Sequence, residues 1–207
     1  MDAGCAIEID DLHQDIILDK EKKMFERKIF AIKGNQDVGK TTSLRLAYKM
    51  LLEQLENIPI SYQVKYDSYQ YSKSWAEEAF MDFTAVFTIS GYVVILHSPG
   101  DNAWFVNCLR EYHDKSCLII VCATRKNGNH GSVRAFNEFA QEYGYHPDAM
   151  LKNELSESDN KEKAQQLLKR IGTALGEALE SSESPEKCSE LQTTLLRKLA
   201  DSLKTHP

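Results

Sequence analysis

The chain has 207 residues and a formal net charge of −6 at pH 7, from 31 acidic and 25 basic side chains. This balance gives no general attraction to nucleic acid or to an anionic membrane surface. No apolar run approaches the length of a membrane span, and residues 1–15 are acidic, unlike a targeting peptide, so we expect a cytoplasmic protein without a membrane partner. The five cysteines and six histidines show no metal-ligand spacing, and we assign them no chemistry.

The first predicted element is a strand at residues 28–33, a β-branched and aromatic run that ends in glycine. Residues 41–56 carry Leu and Ala at three-to-four-residue spacing, which predicts an amphipathic helix. Between them lies the signature loop, residues 34–41, a complete G-x-x-x-x-G-K-[ST] motif. Such a loop turns its backbone N–H groups toward an anion at a helix N-terminus. The residues predicted to bind nucleotide here are Gly34, Asn35, Gln36, Asp37, Val38, Gly39, Lys40, Thr41 and Thr42.

With this motif the chain resembles the P-loop (Walker A) NTPases, over about residues 29–143. The motif assigns specific roles to two of its side chains. Lys40 would reach the β- and γ-phosphates, and the Thr41 hydroxyl would take one position on Mg²⁺.

The central part of the chain predicts three strands. Residues 60–66 alternate like a strand, and two apolar runs at 83–89 and 92–96 are joined by Ser90-Gly91, which is typical of a hairpin. The last run is continuously apolar, as in a strand buried on both faces of a parallel sheet. A short helix is predicted at residues 75–81.

The Walker B position is altered in this chain. In P-loop proteins the strand beside the P-loop strand ends in an acid that reaches the Mg²⁺ shell, and here His97 takes that place. Asp101 is the nearest carboxylate, so we predict that it substitutes for the acid, with Ser98 and Gly100 close to the γ-phosphate. The alternative is that Asp101 only caps the helix predicted at residues 101–113.

A further buried strand is predicted at residues 117–123. Its carboxyl end delivers Thr124, Arg125 and Lys126 to the edge of the sheet where α/β proteins bind ligands. Residues 124–127 are a degraded guanine-reading motif that lacks its Asp, so ATP is favoured over GTP. Two other interpretations stay open, a mobile phosphate lid built from Arg125, Lys126 and Arg134, and a solvated basic loop.

The C-terminal part is predicted to be mainly helical. Residues 133–143 form a helix ended by Gly144, residues 145–147 break the chain, and a final strand is weakly indicated near 149–151. Leucine periodicity predicts helices over 167–179 and 191–203, with a linker at 181–185. The first would cover the sheet, and the second would pack beside it, dock a protein partner or mediate self-association.

These elements predict an N-terminal extension (1–27), an NTPase domain (28–180) and a C-terminal helical extension (181–207). The fold class is α/β, a three-layer P-loop NTPase fold with a mainly parallel sheet, a β-hairpin before the Walker B-like strand and added C-terminal helices. More narrowly, A-I-K-G-N-x-x-V-G-K-T-T, S-x-G-D and V-C-A-T-R are similar to small bacterial ATP-binding proteins of unassigned function. That resemblance implies ATP binding and a shared role for Ser98, Gly100, Asp101, Thr124 and Arg125.

The leading hypothesis is a Mg²⁺-dependent ATPase or nucleotide switch with slow hydrolysis. Lys40 would hold the phosphates, Thr41 and Asp101 would organise Mg²⁺, and Arg125 would stabilise charge on the leaving phosphoryl group. One alternative is a small-molecule or nucleotide kinase. Another is a non-enzymatic module that binds a nucleoside triphosphate and docks a protein partner.

Overall fold

In a computed structural model of the chain, residues 26–69, 82–112, 117–126, 131–181 and 189–205 are described. Most of the predicted N-terminal extension, the helix predicted at 75–81 and most of the linker predicted at 181–185 lie outside these ranges. The strands are β1 Lys28–Gly34, β2 Tyr62–Tyr69, β3 Asp82–Ile89, β4 Tyr92–His97, β5 Cys117–Arg125 and β6 His146–Leu151. The helices are α1 Lys40–Glu56, α2 Ala103–Asn107, α3 Leu109–Tyr112, α4 Ser132–Tyr143, α5 Glu157–Glu180 and α6 Glu190–Thr205.

The strands form a mixed, mostly parallel sheet in the order β2-β3-β4-β5-β1-β6. β1 pairs in parallel with β5 and β6, β4 pairs in parallel with β5, and β3 runs antiparallel to both β2 and β4. The predicted α/β class, mainly parallel sheet and hairpin are therefore confirmed.

The expected neighbour of β1 is wrong. We expected the strand that ends in His97 to lie beside the strand of the signature loop, but β5 lies between β1 and β4. The physical reason is that β4 and β5 are both buried along their length, so their apolar runs carry no information about which one pairs with β1.

Helices cover both faces of the sheet. Successive side chains of a strand point to opposite faces, so Phe30 and Ile32 pack with α1, α5 and α6, whereas Ile29 and Ala31 pack with α3 and α4. The three layers follow from this alternation. α6 contributes buried residues to the same core as β1 and α1, namely Leu196, Leu199, Ala200 and Leu203.

The hairpin turn has the predicted chemistry. Ser90 (φ 47°) and Gly91 (φ 91°) both have left-handed backbone conformations, as a two-residue type I′ turn requires. The turn aligns Thr84 with His97 and Ile89 with Tyr92. This register fixes which residues of β3 lie beside the end of β4.

Several element boundaries differ from the prediction. The helix predicted at 101–113 is interrupted at Cys108, giving α2 and α3. The break predicted at 145–147 is wrong because β6 already begins at His146 and includes Pro147. Proline is compatible with a strand at a sheet edge, where its missing N–H breaks no ladder. The helix predicted over 167–179 begins ten residues earlier, at Glu157, because Ser156 caps it by accepting a hydrogen bond from the Asp159 N–H.

Among the described helices, none combines the length and the apolar character needed to cross a membrane.

Candidate functional site

The signature loop connects β1 to α1, as the sequence predicts. Its backbone is left-handed at Asp37 (φ 57°) and at Gly39 (φ 83°), and glycine adopts this conformation without the penalty that a side chain brings. Gly39 precedes the first residue of α1, whose first turn carries no acidic side chain. The partial positive charge at this helix end is therefore not neutralised by its own first turn.

Lys40 folds back over the signature loop. Its side chain is buried, and its Nζ donates hydrogen bonds to the carbonyl oxygens of Asn35 (2.6 Å) and Gly34 (3.3 Å). These partners are neutral. The ammonium group is thus held at the loop by contacts that an incoming anion can replace.

Charges of both signs surround this ammonium group. Burial lowers the pKa of Lys40, and the nearby Arg125 acts in the same direction. Three carboxylates, Asp101, Asp82 and Asp37, raise it. Lys40, Arg125 and the acids therefore form one electrostatically coupled cluster around the loop.

Asp82, a residue that sequence reasoning missed, lies against the predicted metal-binding threonine. The Thr41 hydroxyl donates to Asp82 Oδ1 at 2.8 Å, and the Ser98 hydroxyl donates to the same oxygen at 3.0 Å. Ser98 is fixed in turn because its Oγ accepts from the Phe83 N–H at 2.8 Å. Burial raises the pKa of Asp82, although both hydroxyl donors oppose the shift.

The sequence did contain a signal for Asp82. A two-residue turn at Ser90-Gly91 sets the hairpin register, and the same register brings Phe83 opposite Ser98, where they exchange backbone and side-chain hydrogen bonds. An acid just before Phe83 therefore lies beside the end of β4. The sequence prediction rests on carboxylates that follow β4 along the chain, and Asp82 lies before it.

Asp101 and Arg125 are also brought to the loop. Asp101 Oδ1 lies 3.1 Å from Arg125 Nε, and Arg125 Nη2 donates to Gln36 Oε1 at 3.3 Å. The Nε–H makes no hydrogen bond within the described residues, so the Asp101 contact is one of charge and proximity rather than an aligned bond. Arg125 thus links the segment after β4 to the signature loop. Asp101 itself lies two residues before α2, which begins at Ala103.

The segment that carries Asp101 passes very close to β5. A Cβ added at Gly100 would lie 1.9 Å from the Ala123 carbonyl oxygen, so the backbone approaches β5 in a way that only glycine allows. Thr124 is buried next to it, and its hydroxyl has no hydrogen-bond partner in the described part of the chain. Thr124 therefore lies near the end of β5, between β1 and β4, and Gly100 lies in the segment that follows β4.

The predicted basic lid is only partly assembled. Lys126 lies beside the loop, since its N–H donates to the Gly34 carbonyl oxygen at 3.1 Å. Arg134 lies on α4, where its largely exposed side chain pairs with Glu138. His97, at the expected acid position, is fully buried with its Nδ1 2.8 Å from the Thr84 hydroxyl. Within the described residues, no hydrogen bond or ion pair is seen between the signature loop and either Arg134 or His97.

The Thr41 hydroxyl and the Asp82 carboxylate are suitable ligands for a magnesium ion. A hydroxyl and a carboxylate oxygen are hard ligands, and Mg²⁺ is usually held by one or two such groups together with waters and substrate phosphates. The described residues contain no group of three or more His, Cys, Asp or Glu side chains that could hold a metal ion. Thr41 and Asp82 therefore suit a Mg²⁺ ion whose remaining ligands are waters and phosphate oxygens, rather than an ion held by protein side chains alone.

No protein-family model, curated protein or solved structure matches the chain.

Proposed function

We propose that the chain is a P-loop NTPase that binds Mg-ATP at the signature loop and hydrolyses it slowly. The observation that carries the proposal is the 2.8 Å hydrogen bond from Thr41 to Asp82. It supports the motif assignment because a carboxylate stands beside the hydroxyl that the motif assigns to Mg²⁺.

The triphosphate would be held by the loop N–H groups and by Lys40. On binding, Lys40 would exchange its bonds to the Gly34 and Asn35 carbonyls for bonds to phosphate oxygens. Arg125 would turn from Asp101 toward the terminal phosphate and stabilise the charge that develops there. These movements need only side-chain rotation, since both cations already lie at the loop.

The metal role passes from Asp101 to Asp82 in this proposal. Thr41 and Asp82 would hold Mg²⁺, which supplies neutralisation of the phosphate charge. Asp101 is engaged by Arg125 and is half-exposed, so it is better suited to orient a water molecule once Arg125 has moved. ATP remains favoured over GTP because residues 124–127 lack a guanine-reading Asp.

Titration of a fluorescent ATP analogue with and without Mg²⁺ tests the proposal. Lys40→Ala should weaken binding at least tenfold by removing the phosphate-binding ammonium, a loss typical of a charged contact. Asp82→Asn should remove the strengthening of binding by Mg²⁺. Asp101→Asn should keep that strengthening and slow phosphate release.

Two outcomes would contradict these assignments. Unchanged affinity in Lys40→Ala would reject nucleotide binding at the loop. Loss of the Mg²⁺ effect in Asp101→Asn, but not in Asp82→Asn, would return the metal role to Asp101.

A further inference from the structure

A fully buried lysine lies at the end of β6. Lys152 directly follows this strand, and its side chain has no exposed surface. Its Nζ contacts Asp159 Oδ2 at 2.5 Å and donates to the Glu154 carbonyl oxygen at 3.0 Å. Lys163 lies 3.8 Å from the other oxygen of Asp159. Because a buried ion costs several kcal/mol to desolvate, such a lysine persists only where partners compensate it.

Lys152 also packs against the signature loop. Its N–H donates to the Lys33 carbonyl oxygen at 2.8 Å, which extends the pairing of β6 with β1 up to the first loop residue. Its carbonyl oxygen lies 2.7 Å from the position of a Cβ at Gly34. Its Cε lies 3.2 Å from the position of a Cβ at Gly39. One residue therefore contacts both glycines of the motif.

The first turn of α5 completes this contact. Asn160 Oδ1 lies 2.6 Å from the Cβ position of Gly39, and the Ser43 hydroxyl on α1 lies 3.2 Å from the same oxygen. Asp159, the partner of Lys152, immediately precedes Asn160. The ion pair thus joins the end of β6 to the helical turn that packs on Gly39.

We propose that Lys152 and Asp159 are a positioning pair for the signature loop. They hold the end of β6 and the start of α5 against Gly34 and Gly39. The loop conformation that presents its N–H groups and Lys40 to phosphate depends on this support. The inference rests on the proposed function, because it assumes that the loop binds phosphate. The pair acts on affinity through Gly39, the residue before Lys40, without touching the nucleotide.

A second ion pair provides a matched control. Asp148 and Arg170 also join β6 to α5, but Asp148 aligns with Phe30 in the middle of β1 rather than with the loop. Removing the Asp148–Arg170 pair takes one acidic and one basic charge from the β6–α5 contact, as removal of Lys152 and Asp159 does. A general effect of the β6–α5 contact would appear in both pairs, whereas a positioning effect would appear only at Lys152–Asp159.

The decisive variant is the double substitution Lys152→Met/Asp159→Asn, which removes both charges of the pair, while Lys163 keeps its contact with Glu162. Its control is Asp148→Asn/Arg170→Met. We expect the first double variant to bind Mg-ATP and inorganic tripolyphosphate about tenfold more weakly, since small displacements of binding groups cost affinity of this order. The control should bind both within about twofold of the parent chain. Tripolyphosphate has no base or sugar, so it reports on the phosphate contacts alone.

Urea unfolding separates positioning from simple stabilisation. Unchanged affinity of the folded Lys152→Met/Asp159→Asn protein would overturn the inference, whatever its unfolding midpoint. If that protein does not fold, Asp159→Glu decides the question. It keeps both charges but lengthens the carboxylate arm, so we expect severalfold weaker tripolyphosphate binding, and affinity equal to the parent would overturn the inference.

Lys40→Ala in the same assay distinguishes failure of the proposed function from failure of the positioning inference. If Lys40→Ala binds tripolyphosphate normally, the proposed function fails. If Lys40→Ala loses binding and the Lys152–Asp159 variants do not, only the positioning inference fails.

Discussion

Thr41 and Asp82, 41 residues apart in sequence, share a hydrogen bond of 2.8 Å at the start of α1. The bond connects the signature loop to the open end of the β3–β4 hairpin. It holds the half-buried Asp82 carboxylate where its charged form is less well solvated than in the unfolded chain, which lowers the stability of the ligand-free protein at neutral pH.

Asp82→Asn should therefore stabilise the ligand-free protein at neutral pH. Burial raises the pKa of Asp82 above its ordinary value of 3.8, so the folded state binds more protons than the unfolded state between the two pKa values. Stability contributed by this group falls as pH rises through that window and stays low above the raised pKa. Asparagine accepts the same two hydroxyl bonds without charge, and we therefore expect the free energy of unfolding at pH 7 to increase.

Urea unfolding at pH 7 and at pH 3 measures this gain. At the lower pH Asp82 is protonated in the parent chain, so the difference between parent and variant should shrink. A variant less stable than the parent at pH 7 would contradict the electrostatic interpretation.

Gly39→Ala should damage both stability and nucleotide binding. The new Cβ would meet Asn160 Oδ1 at 2.6 Å in a left-handed backbone at φ 83°. Backbone strain and steric overlap together should lower the free energy of unfolding by about 2–3 kcal/mol. We also expect the ATP analogue to bind at least tenfold more weakly.

Gly144→Ala is its matched control. Gly144 is also left-handed (φ 67°), but it ends α4 and a Cβ there would meet nothing within 4 Å. We expect about 1 kcal/mol of destabilisation from the backbone alone and no change in nucleotide affinity. Equal effects of the two substitutions on affinity would show that strain, rather than the contacts of Gly39, governs binding.

Nucleotide binding should change the surroundings of Trp104. This exposed residue lies in α2, shortly after Asp101, whose partner Arg125 also contacts Gln36 of the signature loop. If Arg125 moves to phosphate, the segment that carries Asp101 loses an ionic contact. In a Trp75→Phe background, we expect Mg-ATP to shift the Trp104 emission.

Arg125→Gln should abolish most of that emission shift while weakening binding severalfold, since a cation is lost. Fluorescence titration of both proteins gives the shift and the affinity together. A full shift in Arg125→Gln would reject Arg125 as the link between the nucleotide and α2.

The C-terminal helix should behave as part of the domain core. Leu199 is buried, whereas Leu191 on the same helix is largely exposed. Leu199→Ala should cost about 2–4 kcal/mol of unfolding free energy, while Leu191→Ala should cost less than about 0.5 kcal/mol. Chemical denaturation measures both, and equal small costs would indicate a helix that docks only loosely.

The sequence predicts most of the helices, strands and turns because each of them is determined by residues that are close together in the chain. The signature loop, α1 and the hairpin turn each follow from residues adjacent in the chain, such as Ser90 and Gly91 with their left-handed backbones. Strand order is a long-range property, and two equally buried strands gave no sign of which one pairs with β1. The acid beside Thr41 was missed for a related reason, since Asp82 is the first residue of β3 and reaches the site only through hairpin pairing.

The hairpin turn has a consequence far from where it lies. Asp82 and Ile89 are the two ends of β3, about 23 Å apart at the usual rise of a strand. A slip of one residue at Ser90-Gly91 would turn every β3 side chain to the opposite face and carry the Asp82 carboxylate away from Thr41. The turn therefore sets the strand register that brings Asp82 to the candidate metal site, although the turn itself lies at the other end of β3. An insertion at this position would remove the acid from the site while leaving every residue of the signature loop intact.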